Sequence, residues 1–243
     1  QLHGWLFDPD CAGAKPHLYA ICCHGYSGQP QDMAKYAHRF ARLGFTVLVP
    51  ALRGHGLSEG RYAGMGWLDR RDLMRWISLI IDSDADARIL LQGKSMGAAA
   101  VMMTVGEPDL PRNVVAAVED CGYASVGQQF IDCARSMFHL PKFLAKPIVT
   151  TMGAIARRRA GYGFQEASCV EQLKHATIPM LFIHGGADDF VPSRALDENF
   201  DACASIDRQK LLIPSAGHSM SASTAPVVYW KTVTNFVTRV FGL

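Results

Sequence analysis

Short apolar runs alternate along the chain with longer stretches in which apolar positions recur every three or four residues. The runs, at 3–7, 17–23, 45–52, 87–91, 114–118, 180–183 and 210–213, have the length of strands. Several are apolar on both faces, as strands covered by helices on each side must be. Between them, Met33, Tyr36, Phe40 and Leu43 mark one helix, with Gly44 as its stop. Trp67, Met74, Ile77 and Ile81 mark a second, and Val227, Trp230, Val233, Phe236 and Val240 a third. These aromatic and methionine stripes read as core-facing surfaces rather than as cofactor contacts. Such alternation predicts an α/β fold, a mostly parallel central sheet flanked by helices.

One interval breaks the rhythm. About fifty residues separate the strand ending near Asp120 from the one beginning near Pro179. They hold helical patterns at 130–139 and 148–160, with Pro141 and Pro147 as punctuation, and no convincing strand. A structureless loop of that length is uncommon in a compact domain, so a helical insertion over the sheet, at about 125–170, is expected. Internal repeats and low-complexity linkers are absent from the sequence, which reads as one domain spanning 1–243.

At 243 residues the chain can bury a large core without staples. Its net charge is only +2, and its basic residues are scattered except for Arg157-Arg158-Arg159, so no stripe exists to track a phosphate backbone and nucleic acid is not an expected partner. The triple arginine reads as a solvated helix end or, alternatively, as a greeting for an anionic substrate. Seven cysteines, odd in number and without C-x-x-C spacing, read as reduced, mostly buried residues. They favour a reducing, cytoplasmic compartment. The longest apolar runs are strand-sized, so no membrane span or cleavable signal is expected in this chain. It starts at Gln1 rather than Met, which leaves room for an upstream strand, signal or anchor.

Residues 91–97, Leu-Gln-Gly-Lys-Ser-Met-Gly, admit two chemistries. A phosphate-binding loop needs G-x-x-x-x-G-K-[ST], because its first glycine opens the turn whose N–H groups surround the phosphates. Here the position five before Gly93 is Arg88, and the apolar run Ile89-Leu90-Leu91 continues almost to Gly93. G-x-S-x-G fits instead: a strand turns sharply into a helix at Ser95, and glycines two residues either side let strand and helix approach. Serine needs a histidine to take its proton, and the histidine needs a carboxylate to fix its tautomer. Downstream, Leu-Phe-Ile-His-Gly-Gly-Ala-Asp-Asp-Phe-Val-Pro places Asp188 after a strand, and Leu-Leu-Ile-Pro-Ser-Ala-Gly-His-Ser-Met does the same for His218. Asp189 and Asp120 compete for the acid. Of nine histidines, His218 alone lies late enough, after a strand, in a Gly-His loop. Lys94 reads as a neighbour of the site without a chemical role, and His184 as a structural histidine at a strand end.

HGYSG, RGHGLSEG, GKSMG, HGGADDFVP and AGHS, spanning residues 24–218, resemble in kind and order the motifs of the α/β-hydrolase superfamily. The set is similar to its compact carboxylesterases, the cinnamoyl-esterase-like and serine-aminopeptidase-like group with a small cap. The resemblance implies a serine hydrolase of carboxylic esters needing no metal or organic cofactor, with Ser95 as nucleophile, Asp188 as acid, His218 as general base, and the backbone N–H groups of Tyr26 and Met96 as oxyanion hole. His24 would brace the oxyanion turn and His55 would order the loop that follows its strand. Amide or thioester cleavage would use the same triad, and a non-catalytic binding protein on this fold is the rival from another class. One departure is visible: the family often carries an acid two residues before the arginine of R-G-H-G, where this chain has Ala51, which puts the rigidity of that loop in question. Phe130, Met137, Phe138, Leu140, Phe143 and Leu144 are available to face inward from the insertion, so an apolar pocket over Ser95 for short to medium acyl or aryl esters is expected.

Overall fold

A computed structural model describes residues 1–11 and 15–243. Seven strands, β1 (Gly4–Phe7), β2 (Leu18–Cys23), β3 (Thr46–Pro50), β4 (Arg88–Lys94), β5 (Val114–Asp120), β6 (Met180–Gly185) and β7 (Arg208–Ile213), form one sheet. Its order is β1-β3-β2-β4-β5-β6-β7; β1 pairs antiparallel with β3 and every other pair is parallel. Among the described residues nine α-helices accompany them: α1 (Ala34–Arg42), α2 (Asp69–Ser83), α3 (Met96–Val105), α4 (Val126–Phe138), α5 (Lys142–Ala160), α6 (Cys169–Leu173), α7 (Arg194–Ala202), α8 (Ser221–Thr224) and α9 (Pro226–Phe241). The result is an α/β-hydrolase fold.

Period-two alternation decides which cover each strand residue meets. In β2, Ile21 and Cys23 pack into a core shared with α2 and α3, whereas Leu18, Ala20 and Cys22 pack into one shared with α1 and α9. In β6, Met180 and Phe182 face the first core and Leu181 and Ile183 the second. All ten residues of α3 are buried, so its apolar character runs around the whole helix rather than along a stripe.

Three expectations need correction. Val227 is 78% exposed, and the inward face of α9 is Tyr229, Trp230, Val233, Phe236, Val237 and Phe241. Pro147 lies inside α5 instead of separating two helices; the hydrogen bond it removes would have reached the carbonyl of Phe143, an exposed residue one turn back that water can satisfy. Finally, Met137, Phe138, Phe143 and Leu144 are 63, 69, 75 and 44% exposed and line no inner pocket. The packed side of α5 is Ala145, Val149 and Gly153, small residues one turn apart that bring the helix close and leave its bulky residues outside. Phe130 stacks on Phe164, with ring centroids 4.7 Å apart.

β5 ends on two fully buried acids, Glu119 and Asp120. Desolvation drives the Glu119 pKa up to about 8, against the opposing pull of His184 and the hydrogen bond from Gly122 N–H. The folded state therefore binds a proton that the unfolded chain releases between about pH 4.5 and 8, and stability falls as pH rises through that window. We expect Glu119→Gln to flatten this decline: in urea unfolding at the two ends of the window, the wild type loses more stability than the variant. Equal losses would show that Glu119 is ionised in the folded protein.

Candidate active site

Parallel strands deliver their carboxyl ends to one edge of a sheet, and here the loops after β2, β4, β6 and β7 meet there. Ser95 joins β4 to α3 at φ 55° and ψ −117°, a conformation few residues with a side chain adopt. The Asp120 carbonyl accepts its N–H at 2.8 Å. Ser95 Oγ lies 2.9 Å from His218 Nε2, and His218 Nδ1 lies 2.7 Å from Asp188 Oδ2. An ionised Asp188 can only accept, so the imidazole proton sits on Nδ1 and Nε2 is left to accept from the serine hydroxyl.

Asp188 is fully enclosed. Its Oδ1 accepts from the N–H groups of Phe190 and Val191 at 3.0 and 2.8 Å. His184 Nε2 donates to the Val191 carbonyl at 3.0 Å and approaches Asp188 Oδ2 at 3.4 Å. Burial alone would raise this carboxyl's pKa, but hydrogen bonds from His184 and His218 outweigh it and hold the group well below the usual carboxylate range. Asp189 beside it is exposed. The Asp120 carboxylate meets the Tyr36 hydroxyl at 3.4 Å rather than a histidine. The loops bearing Asp188 and His218 are joined by backbone hydrogen bonds from Gly186 to Ile213 and from Ala187 to Ala216, of 2.8 and 3.0 Å.

The loop after β2 comes close to Ser95: a Cβ on Gly25 would stand 3.3 Å from Ser95 Cβ and 3.8 Å from its Oγ. The next residue is Tyr26; Met96 opens α3, where a backbone N–H has no partner within the helix. His24, fully buried, accepts the Leu52 N–H on Nε2 at 3.0 Å, so its Nδ1 donates to the Gly25 carbonyl at 2.8 Å. His55 accepts the Ser27 N–H at 3.2 Å and meets the Arg53 carbonyl at 2.9 Å. Arg53 in turn makes a bidentate pair with Asp72 of α2, both contacts 2.7 Å, and the Ser58 hydroxyl donates to the Ala51 carbonyl at 2.6 Å. Asp72 and Ser58 thus stiffen the loop in which Ala51 stands where an acid was looked for.

Two of these contributors were not legible as site residues. His184 had a signal, since it lies four residues before Asp188 in the same motif, but it reads equally well as strand-end packing. Asp72 had none, because nothing in its spacing ties it to Arg53. Cys121 Sγ also gathers within 4.8 Å of the Asp188 and His218 ligand atoms, the one such set of three among the described residues. The hydrogen bond between Asp188 and His218 already occupies the atoms a metal would need. Around the opening, Phe190 places its ring 5.0 Å from that of His218, and Tyr26 is 59% exposed.

The model of the family described as serine aminopeptidase, S33, matches residues 14–156. The uncharacterized protein YqkD of Bacillus subtilis is 26% identical over 218 residues, covering 89% of this chain and 70% of that one. A thermostable monoacylglycerol lipase of a Bacillus species is 38% identical over 55 residues, 20% of this chain and 22% of its own. Among solved structures, the Pyrococcus furiosus esterase Pf2001 superposes with a TM-score of 0.77 at 19% identity, covering 98% of this chain and 87% of its own. The Pyrococcus horikoshii acylaminoacyl peptidase gives 0.71 at 15% identity, covering 98% of this chain and 39% of its own.

The turn at Ser95 generates a test of its own. A Cβ on Gly97 would fall 2.2 Å from the Cys23 carbonyl oxygen, with only backbone there to yield, whereas one on Gly161 would meet nothing within 4 Å. We expect Gly97→Ala to cost about 3 kcal/mol or more. Gly161→Ala, whose penalty is confined to the backbone conformation at φ +79°, should cost about 1 kcal/mol. Urea titrations of the two variants measure the difference.

Proposed function

The chain belongs to the serine aminopeptidase S33 family and is an α/β-hydrolase, and from that premise we propose that it hydrolyses carboxylic esters through an acyl-enzyme formed on Ser95. The observation that carries this reading is the continuous relay from Ser95 Oγ to His218 to Asp188, with links of 2.9 and 2.7 Å. His218 Nε2 takes the hydroxyl proton as Oγ attacks the ester carbonyl, and Asp188 stabilises the imidazolium that forms. The tetrahedral oxyanion is received by the N–H groups of Met96 and Tyr26, the former at the positive end of the α3 dipole. Collapse expels the alcohol, which leaves with the proton from His218. Water then attacks the acyl group by the same route, and Ser95 is regenerated.

Esters rather than amides are favoured by the rim. Phe190 and Tyr26 offer aromatic surface for an acyl or aryl group, and amide cleavage would require protonation of a far poorer leaving group. Likeness to an esterase over nearly the whole chain, and locally to a monoacylglycerol lipase, points the same way. Likeness to an acylaminoacyl peptidase makes the amide the competitor worth testing. The segment carrying α4 and α5 serves in this reading as a small helical cap at about 125–170. Gln129 Nε2 of α4 donates to the Phe190 carbonyl at 2.9 Å, and Asp132 pairs with Arg194 of α7, so the cap is fastened to the loop that carries the acid.

Ser95→Ala should keep the circular dichroism of the wild type, abolish labelling by a fluorophosphonate and lower kcat by about 10³-fold or more, since only the oxyanion donors and binding remain. Labelling that persists would move the nucleophile elsewhere. Asp188→Asn should cost orders of magnitude in kcat and Asp189→Asn little, because only the first group orients His218; the reverse result shifts the acid by one residue. p-Nitrophenyl butyrate should be turned over with kcat/KM at least about 10²-fold above aminoacyl anilides, a gap of about 2.7 kcal/mol. Parity between them would withdraw the ester assignment while leaving the relay intact.

A further inference from the structure

Large apolar side chains rarely gather on a surface unless something covers them. Among the described residues nineteen are exposed, and seven of these fall between Met137 and Ile155, which sets this short stretch apart from the rest of the surface. On α5 they are ordered. Ala145, Val149 and Gly153 form the packed face, and Leu144, Ile148, Met152 and Ile155 form a second stripe beside it, 40 to 51% exposed. At the turn between α4 and α5, Met137, Phe138 and Phe143 project further, at 63 to 75%. Packing against α4 and Phe164 accounts for the first stripe and leaves the second without a partner among the described residues.

Charge says what that partner is. From α4 to the end of α5, residues 126–160 carry six Lys and Arg against the single acid Asp132, a net +5 in a chain whose total is +2, so the remainder is net −3. The one acid is already paired with Arg194, and among the described residues Arg157 alone of these cations makes an ion pair, with Glu166 at 3.3 Å. Lys142 and Lys146 flank the start of the apolar stripe, and Arg158 and Arg159 its end. A rise of 1.5 Å per residue separates the outermost of these by about 25 Å. Cations so far apart, with exposed apolar side chains along the helix between them, do not match one acidic side chain or a peptide groove. They match an extended plane of negative charge over an apolar interior.

We propose that the α4–α5 hairpin docks on anionic lipid bilayers, with α5 lying in the plane of the surface. In the docked state Phe138 and the stripe of Leu144, Ile148, Met152 and Ile155 enter the boundary between headgroups and acyl chains, while Arg158 and Arg159 remain at the phosphates. Docking is independent of the ester reading, because none of these side chains belongs to the Ser95 site.

The test is co-sedimentation of the full chain with vesicles of phosphatidylcholine alone and of phosphatidylcholine mixed with phosphatidylglycerol. Partition should be about tenfold or more in favour of the anionic vesicles and should weaken with added salt. Two double variants separate the contributions: Ile148→Ser with Ile155→Ser, and Arg158→Glu with Arg159→Glu. Each should reduce partition onto anionic vesicles by about tenfold or more while hydrolysis of a soluble ester and the circular dichroism stay at wild-type values. The proposal is overturned if the wild type ignores both vesicle types, or if it binds them equally. It is also overturned if the variants bind as the wild type does, or if sedimentation equilibrium shows the serine variant dissolving a dimer whose interface is this face.

Discussion

At the turn after β4, backbone meets backbone with no room for a side chain. A Cβ on Gly97 would lie 2.2 Å from the carbonyl oxygen of Cys23, and one on Gly93 would lie 2.3 Å from that of Gly97. The two glycines allow α3 to start directly against the ends of β2 and β4, and Ser95 is forced into its positive-φ conformation with its hydroxyl turned to the edge of the sheet. Everything that follows accommodates this contact. The helix beyond the turn is buried on all sides and therefore built of Ala, Val and Met, and the Asp120 carbonyl receives the Ser95 N–H that the turn would leave without a strand partner.

Around that fixed point, polar groups are buried in pairs that satisfy one another. His24 and His55 each reach across to the other's loop through Nε2 and bond a carbonyl of their own loop through Nδ1, and Arg53 and Asp72 fasten the outer loop to α2. Asp188 is held by two backbone N–H groups and two histidines. A carboxylate so supplied with donors keeps its charge despite burial, which is what the proposed role of His218 as a base that becomes cationic requires of its neighbour. Glu119, with one hydrogen bond from Gly122 and its other oxygen unpartnered, lies nearby with its pKa displaced in the opposite direction. The two acids, one at the end of β5 and one in the loop after β6, differ because Asp188 is given several donors and Glu119 only one.

Much of this could be read in the chain. All seven strands are located by their apolar runs: β2 to β6 are buried on both faces and read as continuous apolar stretches, while the half-exposed β1 and β7 still carry enough apolar residues to stand out. Ser95, Asp188 and His218 stand out because strand-turn geometry forces glycines near them. What escaped reading depends on tertiary packing. The short helices α6, α7 and α8 span five, nine and four residues, too little for a period to declare itself. Pro147 reads as a break, since only the folded molecule shows that its lost hydrogen bond lies on an exposed turn. The insertion's phenylalanines read as pocket lining because apolar residues are usually inside; that small residues at every fourth position claimed the packed face could be recognised only once α5 was seen against its neighbours.

The order of strands in the sheet also bears on when the molecule can act. Ser95 and His218 are 123 positions apart in the chain, and His218 follows β7, an edge strand that pairs with β6 alone. β2, β3, β4 and β5 can pair from residues up to Asp120, whose carbonyl receives the Ser95 N–H, before β7 has joined. Contacts of such long sequence separation carry a high closure cost and form late. A chain in which β7 has not yet paired therefore holds the serine turn without its base, and the reactivity proposed for Ser95 is acquired only when that edge strand docks.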